Sequence, residues 1–208
     1  MKNLLAFIAM LSLLISCKTN DDLPAEKESY SFQSIRYYAA DSNREVTTID
    51  IPEITYSNAT GEEQRYLVYP LESYYETSLF ESEDPEAFAV DSIELFVPYI
   101  IDEHNTIYVG DQKWKYSNVM QQQKLPFDTS LDIDLPPNTK VVINEKIFFS
   151  TYKTNYRLLL RGDRTGTEKI IEGTWTGTHV DKTEGSVSWY NLQSSAPPYK
   201  INAFTYQE

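Results

Sequence analysis

The sequence predicts an all-β protein built on an elongated antiparallel sheet, with long strands and at most a short helix. Three observations carry this. Runs rich in Val, Ile, Thr, Tyr, Phe and Trp recur with turn residues between them, and such side chains fit a pleated, half-buried surface. Period-two alternation is clear in places: Leu131, Ile133 and Leu135 alternate with Asp132 and Asp134, and Tyr156, Leu158 and Leu160 with Asn155, Arg157 and Arg161. One packed face and one wet face mark an antiparallel sheet. Apolar stripes at helical spacing are nearly absent.

The strongest block is Leu135–Val180. It opens on the turn Pro136-Pro137-Asn138 and predicts strands Lys140–Phe149, Asn155–Arg161 and Glu168–Val180. Gly162-Asp163 and Thr165-Gly166 supply the hairpin chemistry before the last of these. Ile171, Gly173 and Trp175 alternate with Glu172, Thr174 and Thr176. Gly173 and Gly177 flank Trp175 on one face, where the indole lies over glycine or another strand approaches closely.

Outside this block, strands are predicted at Ser31–Tyr38, Glu45–Tyr56, Gln64–Phe80, Ser92–Ile100, Thr106–Val109, Gln112–Met120, Leu131–Leu135, Ser186–Tyr190 and Tyr199–Tyr206. Glu45–Tyr56 and Gln64–Phe80 exceed the usual five or six residues, which points to an elongated sheet. Asp84-Pro85-Glu86-Ala87 has the cap, the Pro and the acid of a helix start, and predicts one or two turns.

The amino terminus is read as an export signal. Lys2 precedes the apolar run Leu4–Ile15, which is too short to span a bilayer. The run ends in Leu14-Ile15-Ser16-Cys17, and Cys17 is the only cysteine. This resembles a bacterial lipoprotein signal, which implies cleavage before Cys17 and attachment of lipid, palmitate included, at that residue. Residues 1–16 are then the signal peptide, 17–29 a lipidated tether, and 30–208 a single β-rich domain of about 179 residues. Asp21-Asp22 in the tether is similar to the surface-export signal of lipoproteins in the Bacteroides group. The expected location is the bacterial outer membrane, on the periplasmic side or the cell surface.

The net charge is −13, and losing the signal removes Lys2 and no acid, which leaves −14. Such a charge repels nucleic acid and anionic lipid, so the membrane is reached through lipid on Cys17.

Catalytic constellations are thin. The two histidines, His104 and His179, form no metal motif, and no thiol, nucleophile elbow or glycine-rich phosphate loop is present. The expectation is neither an enzyme nor a cofactor or metal protein. Asp102-Glu103-His104 reads as an exposed turn. Arg161-Gly162-Asp163 reads as hairpin-turn chemistry rather than an adhesion tripeptide, and Asn58-Ala59-Thr60 as a loop rather than a glycosylation site.

Leu135-Pro136-Pro137-Asn138-Thr139-Lys140-Val141, Gly162-Asp163 and Ile171-Glu172-Gly173-Thr174-Trp175-Thr176-Gly177 follow the order of motifs in the β-domain of the aerolysin / epsilon-toxin / MTX2 pore-forming superfamily. Upstream, Tyr56–Gln64 and Val97-Pro98-Tyr99-Ile100 are similar to the entry into its long strand and to the segment after its insertion hairpin. The resemblance runs roughly from Tyr56 to Val180. It implies an elongated β body, oligomerisation on a membrane and refolding of one amphipathic hairpin into a shared barrel.

The hairpin expected to do this pairs Leu71–Phe80 with Asp91–Ile100. Leu71, Tyr75, Leu79, Ile93, Leu95, Val97 and Tyr99 lie on one face, with Glu72, Glu76, Glu94, Phe80 and Phe96 on the other. An ordinary hairpin with one buried face has the same pattern. The region is short, its tip is acidic, and an anchored protein is not a diffusing toxin. The favoured reading is therefore a binding or interaction lipoprotein taking a glycan, protein or lipid ligand. A pore-forming protein delivered from the cell surface, oligomeric on its target membrane, is the other.

Overall fold

A computed structural model describes residues 28–90, 92–102, 104, 106–126 and 130–207. The signal, Cys17 and nearly all of the tether lie outside the described residues. Among those described, there is no helix and the ordered elements are ten strands. They are β1 (Tyr30–Asn58), β2 (Gln64–Val68), β3 (Ser73–Glu81), β4 (Glu94–Ile101), β5 (Ile107–Lys115), β6 (Gln121–Pro126), β7 (Leu131–Leu135), β8 (Thr139–Gly162), β9 (Glu168–Asn191) and β10 (Lys200–Gln207).

The main sheet runs β1-β8-β9-β3-β6, antiparallel throughout. β9 gives one edge to β8 along its whole length. Its other edge pairs with β3 over Thr174–Thr178 and with β10 over Lys182–Trp189. At about 3.3 Å per residue, the 24 residues of β8 span about 80 Å. The elongated antiparallel sheet expected from the sequence is what forms, and it is longer than expected. Lys140–Phe149 and Asn155–Arg161 are one strand, Ser31–Tyr38 and Glu45–Tyr56 are also one, and Ser186–Tyr190 continues β9. β1 stays in register with β8 by shedding residues at bulges, the largest between Tyr38 and Asn43.

Burial changes face partway along β8. Val141, Ile143 and Ile147 are buried at one end, and Tyr152, Tyr156, Leu158 and Leu160 at the other. β8 alternates without a break of its own, so odd and even positions point to opposite faces. The extra residue at the register shift near Phe148/Phe149 is in β9. Each end of the sheet is thus covered from the opposite side. The short pair β2–β7 covers the first end, packing Val68, Ile133 and Leu135 on Val141, Ile143, Val187 and Trp189. The pair β4–β5 covers the second.

Gln64–Phe80 is not one strand. It breaks at Tyr69–Glu72 into β2 and β3, which belong to different sheets. Pro70 sits in the break and has no N–H to continue a ladder. Thr106–Val109 and the start of Gln112–Met120 merge into β5, while β6 starts only at Gln121. Asp84–Ala89 makes consecutive turns instead of a helix. The Asp84 carboxylate accepts the Glu86 N–H at 2.9 Å, and its carbonyl accepts from Ala87 at 3.0 Å.

Both glycine expectations hold. A Cβ on Gly177 would collide with the Trp175 ring, and one on Gly173 with the Glu81 carbonyl across the β3–β9 ladder. Backbone cannot give way there, so Gly173→Ala is expected to lose about 2–3 kcal/mol, read as a lower urea midpoint with an unchanged slope.

The two turn motifs are structural. Asp163 accepts from the Ser29 hydroxyl at 2.7 Å and from Ser31, while Glu28 accepts the Arg164 and Thr165 N–H groups at 2.9 and 3.1 Å. The hydroxyls of Ser31 and Ser29 hold the Asp163 carboxyl below the usual carboxylate range. The Asn58 amide donates to the carbonyls of Glu62, Leu135 and Pro136, and its oxygen accepts from Thr60. The sequon is a bracket tying β1 to the turn before β8.

Candidate functional site

The feature that stands apart from the sheet is the chain between β3 and β6. These two strands are hydrogen-bonded neighbours, Ser73–Ser78 against Gln121–Pro126. The chain joining them leaves at Glu81, turns through residues 82–90, forms the β4–β5 hairpin and reverses at Tyr116–Met120 to enter β6. The reversal lays β5 back beside β6. Gln121 donates to the Lys115 carbonyl and accepts its N–H, and the Gln123 amide donates to the Lys113 carbonyl.

The expected pairing of Leu71–Phe80 with Asp91–Ile100 is corrected. β3 pairs with β9 and β6, and β4 pairs with β5, so the two segments share no ladder. The expected face is right for only half of the segment. Ile93, Leu95 and Val97 are buried and Tyr99 half-buried, all toward the main sheet. In β3 the order is inverted. Tyr74, Glu76, Ser78 and Phe80 are buried, Leu71 and Leu79 are half-buried, and Tyr75 is 55% exposed. The inversion follows from pairing with β9, where Phe80 sits opposite buried Trp175. Nothing in the period of β3 alone distinguishes its two faces, because both carry aromatics.

The hairpin is held mainly by side chains. Ile93, Leu95, Val97, Ile101, Trp114 and Tyr116 pack on Phe80, Tyr152, Tyr156, Leu158, Ile171 and Trp175 in the largest buried cluster. Polar ties are few and specific. The Tyr37 hydroxyl donates to the Phe96 carbonyl at 2.9 Å, and burial pushes the Tyr37 phenol well above its ordinary pKa. Tyr116 and Tyr156 share a hydroxyl–hydroxyl bond at 2.9 Å, and burial pushes Tyr156 up to about 12. At the base, the Tyr116 N–H donates to Ile93 at 2.8 Å and the Phe80 N–H to Ser117 at 3.1 Å.

Under the hairpin lies a cavity of about 470 Å³, floored by Tyr74, Glu76, Trp175 and His179 and roofed by β4 and β5. The predicted strand Glu168–Val180 put His179 at its end, but the strand runs on to Asn191. His179 lies within β9, where its Nδ1 contacts the carboxylate of buried Glu76, and the Tyr99 ring meets it edge-on at 5.6 Å. That pair joins residues 103 apart and has no local signature in the sequence. His104 is in an exposed turn, as expected, with its N–H donating to Asp102 at 2.9 Å. Among the described residues no group of three or more His, Cys, Asp or Glu is placed to hold a metal ion.

As a free hairpin, β4–β5 is two-sided. Leu95, Val97 and Ile101 with Trp114 lie on one face; Glu94, Asp111, Lys113 and Lys115 lie on the other together with exposed Phe96 and Val109, and register shifts at Phe96/Pro98 and Pro98/Ile100 interrupt the alternation. Strands of eight and nine residues approach the length at which tilted strands cross a bilayer, about 9–11 residues.

No family model and no curated protein sequence matches this chain. Solved structures do. The crystal structure of lamprey immune protein aligns with TM-score 0.54 at 18% identity, covering 78% of this chain and 53% of that one, so the chain spans about half the length of the lamprey protein. An aerolysin-like protein of Bombina maxima aligns with TM-score 0.42 at 11% identity, over 79% and 99% of the two chains. The Mpp75Aa1.1 beta-pore-forming protein of Brevibacillus laterosporus aligns with TM-score 0.41 at 9% identity, over 90% and 83%. The likeness to the lamprey protein is one of fold. The elongated, all-β antiparallel architecture expected from the strand pattern is the one observed.

Proposed function

We propose that this chain is a membrane-acting module, anchored on the bacterial outer membrane through lipid on Cys17, that works by releasing the β4–β5 hairpin into a target membrane rather than by catalysis. One observation carries the reading: β3 and β6 are adjacent strands, and the chain between them is folded back on the sheet as an amphipathic hairpin. Straightening the turns at 82–90 and 116–120 lets β4 extend from β3 and β5 lead directly into β6. The β3–β6 ladder is kept, but 15 residues (79–93) join the pairs on one side and five (116–120) on the other, so the β4–β5 register has to shift for the two pairs to become one long hairpin. Closure of several such hairpins into a barrel satisfies every backbone group in lipid, which an isolated hairpin cannot do. The oligomer is therefore part of the proposal. The purely binding role is the second reading, favoured by the depth at which Trp114 and Leu95 are buried.

Protein lacking residues 1–17, added to dye-loaded liposomes of outer-membrane or host lipid composition, is expected to release dye and leave an SDS-resistant oligomer. Absence of both on every membrane tested returns the function to binding. For the anchor, Cys17→Ser is expected to abolish incorporation of labelled palmitate in the producing cell; unchanged labelling refutes it.

A further inference from the structure

We propose that the cavity between the β4–β5 hairpin and the sheet is a binding site for a small organic ammonium, a primary amine carried on a short aliphatic stem. The Gln112 amide oxygen is buried and accepts no bond from the described residues. Glu76 is 7% exposed, and its carboxylate meets the Nδ1 of His179. The indole N–H of Trp175, which lines the same space, is already given to Ser78 at 2.9 Å and offers nothing to a ligand. A buried acceptor left without a donor is costly, and a ligand bearing N–H groups and a positive charge supplies what is missing. The aromatic walls, Tyr74, Tyr99, Trp114 and Trp175, suit an alkyl stem and attract a cation to their ring faces.

Gly110 is the independent sign that this space is left open. A Cβ there would meet only the Tyr99 side chain and the Val97 carbonyl at 3.8 Å, ordinary contact, and its φ is not in the left-handed region. The fold does not need glycine at this position, and glycine weakens a strand. A bare residue leaves the roof of the cavity without a side chain beside Tyr99 and Val97. The site does not require the hairpin to insert; a ligand there bridges hairpin and sheet in the folded form.

The test uses n-butylammonium with protein lacking residues 1–17, read by calorimetry and by tryptophan fluorescence, since Trp114 and Trp175 line the cavity and Trp189 does not. A saturable signal with Kd of about 1 mM is expected for so small a ligand. n-Butanol, which has no charge, and tetramethylammonium, which has no N–H donor, are expected to bind at least about tenfold more weakly. Gly110→Leu fills the space and is expected to abolish binding while keeping the melting temperature. Glu76→Gln is expected to weaken binding about tenfold or more. No saturable binding of n-butylammonium overturns the proposal, as does equal binding by n-butanol or by tetramethylammonium. Undiminished binding to a folded Gly110→Leu protein moves the ligand elsewhere and overturns it too. Dye release is not read in this experiment, so its failure leaves the hairpin reading standing, and the converse.

Discussion

Trp114→Ala is expected to unseat the hairpin. Trp114 is 3% exposed, opposite Leu95, and its ring sits in the cluster that joins hairpin to sheet. Removing a buried Trp costs about 3–5 kcal/mol, through lost transfer energy and the cavity left behind. For a domain of this size that is a fall in melting temperature of about 10 °C. The loss falls on one interface, because β4–β5 pairs only with itself and the main sheet keeps its own ladders. Amide exchange is therefore expected to accelerate in Glu94–Lys115 before it does in β8 or β9. On membranes the same variant is expected to release dye faster than the parent, because less apolar contact has to be broken before the hairpin leaves. An unchanged melting temperature would mean that Trp114 is not part of the core described.

Glu145→Met is expected to stabilise the protein, and by more as pH rises. Glu145 points into the covered face between Ile143 and Ile147 and is 4% exposed, and among the described residues only the Thr183 hydroxyl approaches its carboxylate, without a well-formed hydrogen bond. Ile51 and Gly185 flank it on the neighbouring strands. The groups facing it are the Thr183 hydroxyl and Tyr206, whose own phenol is pushed up by burial and by the charge of Glu145. Burial raises the Glu145 carboxyl above its ordinary value. The sign follows from linkage. A folded-state pKa above the unfolded one favours folding at low pH, and that contribution is lost as pH climbs through the folded value. Replacing such a group with an apolar side chain of similar size removes the term, so the variant is expected to gain about 1–4 kcal/mol at pH 8 and little at pH 4. Asp132, held low by Arg65, and Asp163, held low by Ser31 and Ser29, act oppositely and weaken the fold as acid is added. Urea unfolding across this range checks it; parallel pH curves for parent and variant would contradict the assignment.

Local pattern carried much of this architecture. Leu131–Leu135 is read correctly from alternation because it covers the sheet with one face only. Tyr156, Leu158 and Leu160 are read correctly for the same reason. The limits of strand prediction come from tertiary pairing. β8 is buried on one face in its first half and on the other in its second, so the pattern around Phe148–Ser150 has no single period and looks like a break. β4 and β5 were legible as strands, but not their partners, because Ile93–Val97 alternates the same way whether it pairs with β3 or β5. The Glu76–His179 pair depends on packing between β3 and β9, and residue types alone place Glu76 on a wet face. Gly173 and Gly177 were legible because only a close approach makes glycine useful within a strand.

The central claim is that β4–β5 leaves the sheet and enters lipid as a barrel hairpin. The direct measurement is a single-cysteine scan of β5 in protein lacking residues 1–17, which has no other cysteine, labelled with an environment-sensitive dye and exposed to liposomes carrying a lipid-bound quencher. In the folded form Tyr108 and Val109 are similarly exposed, 46% and 47%. On the membrane the account predicts alternation: quenching at 108, 110 and 112, and little at 109, 111 and 113. Uniform solvent-like emission along the strand, with or without dye release, would contradict it.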